Sequence, residues 1–79
     1  MSNLEIYNNI FIEIFQTEFS VLNNDFNSDN IDTWDSISQL SLVTSIEDTF
    51  DLMLEPEDII NFKSYESGKS ILLKYGINI

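Results

Sequence analysis

The sequence predicts an all-α domain, and three observations predict it. Apolar residues recur at helical spacing in three separate stretches. No segment alternates at period two over a useful length. Residues that start and stop helices stand at the ends of the periodic stretches. The 79 residues suit one small domain spanning 1–79, whose core leaves a thin margin over the entropy of folding. An apolar content of 43% separates the chain from compositionally disordered sequences.

The first helix is expected from about Asn3 to Phe19. Leu4, Tyr7, Phe11 and Ile14 form its apolar stripe, Ile10 and Phe15 widen it, and Glu5, Glu13 and Glu18 lie off it. The polar run from Asn23 to Asn30 then breaks the period and reads as a long loop, with Phe26 and Ile31 as its anchors to the core. A second helix should begin at Asp35 or Ser36 and end near Phe50, burying Leu42, Val43, Ile46 and Phe50. Asp51 to Glu55 is a connector. Pro56 fits a first helical position, where its missing N–H costs nothing, and Glu57 and Asp58 favour a helix N-terminus. This third helix is short and stops near Asn61. Ser64 is a suitable cap for a fourth helix with Glu66 in its first turn and Tyr65, Gly68, Ile71, Leu72 and Tyr75 on its apolar face. Gly68 costs about 1 kcal/mol relative to Ala, and close approach of a neighbouring helix would offset it. Lys69 and Lys74 complement the helix dipole, and Gly76 ends the helix.

Charge narrows the function. Fourteen acidic and three basic side chains give a net charge of −11, which repels nucleic acid and favours partners with basic patches. The absence of Cys, His and Arg removes thiol chemistry, the commonest general base, the commonest zinc ligand and the bidentate phosphate clamp. No catalytic residue and no metal site is expected. The N-terminal MSNLEIYNN does not read as a signal peptide, no stretch is long enough to span a bilayer, and a cytoplasmic monomer without membrane insertion is the expectation. Asp25-Phe26-Asn27-Ser28-Asp29 resembles the opening of an EF-hand loop, but the match then fails: Asn30 stands where Gly is needed, Asp32 replaces an apolar residue and Ser36 replaces the bidentate Glu.

Trp34-Asp35-Ser36-Ile37 is the most informative stretch. Locally, Ser36 reads as a helix cap. The same position also leaves a hydroxyl outside the core, at a helix N-terminus that favours an attached phosphate. Asp35-Ser36-Ile37, then Leu40, Leu42-Val43, Ile46-Glu47-Asp48 and Phe50-Asp51, then Glu55 to Ile60 and the helix capped by Ser64, resembles the Asp-Ser-Leu motif and following helices of the acyl carrier protein family. The resemblance covers roughly Ile31 to Tyr75, and the first helix loosely. It implies a four-helix bundle with a short third helix, in agreement with the periodicity.

By that resemblance, Ser36 takes 4′-phosphopantetheine from coenzyme A through a separate phosphopantetheinyl transferase, and Asp35 supports the modification. The chain would be a carrier and not an enzyme, holding acyl groups as thioesters for acyl-loading and acyl-transferring enzymes with basic docking patches. Ile37, Leu40, Thr44, Glu47 and Asp48 match family positions for partner docking. Several of the residues singled out have a plainer reading: Asp35 as cap, Leu40 as core, Glu47 and Asp48 as a solvated face, and Trp34 as packing against the loop. Ile37, Val43, Ile46, Ile59, Ile60 and Phe62 could line a cargo cavity or simply be core. Ile37 replaces the family's usual Leu, Ser38 and Ser41 stand where acids are common, and Thr44 stands where Met is common. These departures point to a dedicated lipid or secondary pathway. A carrier of aminoacyl or D-alanyl groups shares the pattern, and an acidic interaction module without a prosthetic group shares the charge.

Overall fold

The computed structural model describes residues 2–79, with Met1 outside them. Among these residues the fold is all-helical: α1 (Asn3–Phe15), α2 (Ser36–Phe50), α3 (Pro56–Asn61) and α4 (Tyr65–Lys74), with one 3-10 turn at Phe19–Val21. No described helix is long and apolar enough to cross a membrane.

α1 begins with a capping box. The Ser2 hydroxyl accepts from the Glu5 N–H at 3.1 Å, and the Glu5 carboxylate accepts from the Ser2 backbone N–H. The helix ends four residues short of the expected Phe19. Gln16 takes a left-handed conformation (φ 53°), and the N–H groups of Gln16 and Thr17 both bond back to the Ile12 carbonyl. Gln16 Nε2 also donates to the Glu13 carbonyl at 2.7 Å, so the frayed end is satisfied without glycine. The buried face is Tyr7, Ile10, Phe11 and Phe15, joined by Asn8; Leu4, expected on the stripe, is exposed. Asn8 tolerates burial because its Oδ1 accepts the Tyr65 hydroxyl.

The long loop is tied down by backbone bonds. Ser28 N–H donates to the Lys63 carbonyl at 2.8 Å, Tyr65 N–H donates to the Phe26 carbonyl at 2.9 Å, and Asn27 pairs with Ser64 in an isolated antiparallel bridge. Phe26 is buried and Ile31 half-buried against the core. Phe11 lies at the centre, with the rings of Tyr7, Phe15, Phe26, Trp34, Phe62 and Tyr65 around it at centroid separations between 4.9 and 6.4 Å. Each such ring buries a large apolar area, so seven aromatics compensate for the small size of the domain. α2 adds Leu42, Val43 and Ile46, the connector adds Leu54, and α4 adds Ile71 and Leu72.

α3 has six residues, too few to be stable alone, and its neighbours hold it. Pro56 opens it, as expected. Asp58 turns inward, where its carboxylate accepts from Lys74 Nζ and, at 2.6 Å, from the Tyr75 hydroxyl. The Tyr75 hydroxyl in turn accepts from the Glu55 N–H at 2.8 Å. Ser64 caps α4 by accepting from the Ser67 N–H at 2.9 Å. Gly68 lets α4 approach the Tyr7 hydroxyl and the Phe62 ring so closely that a Cβ there would overlap both.

Candidate functional site at the start of the second helix

Asp35 and Ser36 divide their duties. Asp35 is the cap: its backbone is extended (φ −108°, ψ −170°), and its Oδ1 accepts from the Ser38 N–H at 2.9 Å. That bond, with further help from the Ile37 N–H, holds the Asp35 carboxyl below the usual aspartate range. Ser36 is the first residue of the helix itself. Its side chain is exposed, and its hydroxyl forms no hydrogen bond with any described residue. The capping duty that local sequence allowed to Ser36 therefore falls on its neighbour, and the Ser36 hydroxyl is left open to solvent. The start of α2 is braced further by the Ser38 hydroxyl, which donates to the Thr33 carbonyl at 2.6 Å.

Ser36 opens onto a cleft of about 480 Å³ between the start of α2 and the α3–α4 junction. Trp34, Asp35 and Gln39 line it from the α2 side, and Ile59, Ile60, Phe62 and Lys63 from the other, with Ser28 contributed by the loop. Gln39 fixes the separation of the two sides. Its Nε2 donates to the carbonyls of Ile59 and Phe62, both at 3.0 Å, and its Oε1 accepts the Trp34 indole N–H at 2.7 Å. These bonds satisfy the last carbonyls of α3 by a side chain of α2. Nothing in the sequence marked Gln39, because the carbonyls it bridges to are 20 and 23 residues away.

The other singled-out residues separate by face. Ile37, Leu40, Thr44 and Asp48 are all exposed, and their spacing of three and four puts them on one side of α2. Ile37 is 77% and Leu40 69% exposed, so Leu40 is not a core residue. Glu47 lies apart from them in function. It is half-buried, and its Oε2 accepts from the Leu54 N–H at 2.8 Å, bracing the connector. Trp34 is packed among Phe11, Phe15 and Phe26, as the packing reading expected. Of the six residues considered for a cargo cavity, Val43 and Ile46 are core, Ile37 faces outward, and only Ile59, Ile60 and Phe62 line the cleft. Among the described residues no group of three or more acidic side chains is arranged to hold a metal ion. In the segment compared with an EF-hand, the Asn27 side-chain Oδ1 instead closes a local turn, accepting from the N–H groups of Asp29 and Asn30.

Comparison with protein-family models, with curated proteins and with solved structures found no match.

Proposed function

We propose that the protein is a carrier of the acyl carrier type, with Ser36 as the attachment point of a 4′-phosphopantetheine arm. The observation that carries this reading is the unbonded, exposed Ser36 hydroxyl at the head of α2, freed from capping by Asp35 and opening onto a partly apolar cleft. The residues present fit such a group. A phosphodiester on Ser36 would stand at the N-terminus of a 15-residue helix, where unpaired N–H groups and the dipole favour negative charge. When bound, the arm supplies a terminal thiol on which an acyl chain is held as a thioester.

The chain's own part is to present and to address. Ser36 is a substrate of another enzyme, so no general base beside it is required. Asp35 keeps the helix start in one conformation and stands beside the hydroxyl that is modified. Ile37, Leu40 and Thr44, with Asp48 further along the same face, offer an apolar strip with an acidic end to a partner enzyme that carries a basic patch. Incubation with coenzyme A and a broad-specificity phosphopantetheinyl transferase should add the mass of one phosphopantetheine to the wild type and none to Ser36→Ala. No gain on the wild type, with Ser36→Ala folding normally by circular dichroism, would overturn the reading in favour of an acidic interaction module.

A further inference from the structure

The chain has 14 acidic side chains and three lysines, and two of the lysines are committed. Lys69 Nζ lies 3.4 Å from Glu66 Oε2 and 5.0 Å from the centroid of the Tyr65 ring. Lys74 is bonded to Asp58. Lys63 forms no ion pair with any described residue, and it lines the cleft onto which Ser36 opens. The remaining polar side chains of the cleft are engaged. Asp35 caps α2, and Trp34 and Gln39 are bonded to each other and to the end of α3. Three side-chain donors are left without a partner among the described residues: Ser36, Ser28 and Lys63. The backbones of the last two adjoin, the Ser28 N–H being bonded to the Lys63 carbonyl, and both residues line the cleft. The rest of the lining, Trp34, Ile59, Ile60 and Phe62, is largely apolar.

A neutral hydrocarbon in this cleft would need no ammonium group. An anionic oxygen would, since a surface of net charge −11 otherwise repels it. We propose that Lys63 and Ser28 form an anion subsite of the cleft, which receives a carboxylate or phosphate oxygen carried on a tether at Ser36. This rests on Ser36 being an attachment point. It adds that what is attached bears a negative group, either the phosphate of the arm or a carboxylate on the cargo.

The absence of cysteine permits a test that needs no transferase. Ser36→Cys has a single thiol, which can be alkylated with flexible tethers of equal length ending in a carboxylate, a phosphonate or a neutral amide. The nuclear magnetic resonance signals of the Ser28 and Lys63 amides and of the Lys63 side chain are then compared. The anionic tips should shift these signals more than the amide does. The difference should shrink at about 1 M NaCl, where the Debye length is about 3 Å, and should vanish in Lys63→Gln. In wild type loaded by the transferase, movement with the bare arm assigns the subsite to the arm's phosphate. Movement that appears only when a succinyl thioester replaces a butanoyl one assigns it to a cargo carboxylate. Equal shifts for all three tips, or a difference that survives Lys63→Gln, would overturn the subsite. A wild type that accepts no arm would overturn the carrier reading alone, since the alkylated protein still reports on Lys63.

Discussion

Gly68 is the position where one added carbon has the largest foreseeable effect. A methyl group there would overlap the Tyr7 hydroxyl and the Phe62 ring, both fully buried, and Tyr7 is held by a 2.7 Å bond to the Tyr65 carbonyl. Overpacking costs about 1–3 kcal/mol and occasionally more, against a gain of about 1 kcal/mol in helix propensity. With neither neighbour free to retreat, the upper part of that range applies. Gly68→Ala should therefore lower the urea midpoint of unfolding, and an unchanged or raised midpoint would contradict the packing described. A glycine on an apolar helix face was readable as a place of close approach. Its two neighbours were not, because Tyr7 and Phe62 come from other elements. The pair Asp35-Ser36 shows the same limit: each is a good cap by residue type, and only the backbone at the start of α2 decides between them.

At the scale of elements, α3 depends on contacts outside itself. Its inward carboxylate, Asp58, is kept below the ordinary aspartate range first by its hydrogen bond from Lys74 and then by that from Tyr75. A carboxyl depressed in this way contributes stability that is complete above its unfolded pKa, about 3.9, and is lost as pH falls through the folded value. The same bonds raise Lys74 and Tyr75. Their contribution is present below the ordinary lysine and tyrosine values and is lost as pH rises through the folded ones, and it belongs to the same three-residue cluster. Asp58→Asn should lower the melting temperature at neutral pH and flatten the decline of the wild type below about pH 4. Melting curves that stay parallel to the wild type at every pH would argue against the cluster. The existence of α3 was legible from Pro56 and Glu57, and that of α2 and α4 from their stripes. The inward turn of Asp58 was not, because an acid in a first helical turn already has a reason to be there. The end of α1 was equally hidden, since a glutamine in the left-handed region carries no compositional mark.

For the whole molecule the governing quantity is charge in a small volume. The radius of gyration is 11.4 Å, close to the Debye length of about 10 Å at 0.1 M salt. In dilute buffer most of the 14 acids act on one another across the entire body, and added salt confines each to its near neighbours. The melting temperature should rise with NaCl and with millimolar Mg²⁺; a flat or falling response would contradict self-repulsion as a main destabilising force.

The crossing from α1 to α2 is stitched to the α3–α4 junction through Phe26, Asn27 and Ser28. Surface connections ordinarily absorb extra residues, but this one forms a margin of the cleft and also supplies a ring to the core. A residue inserted between Asn24 and Asp29 would reach both at once, so the length of this stretch is constrained as tightly as the interior.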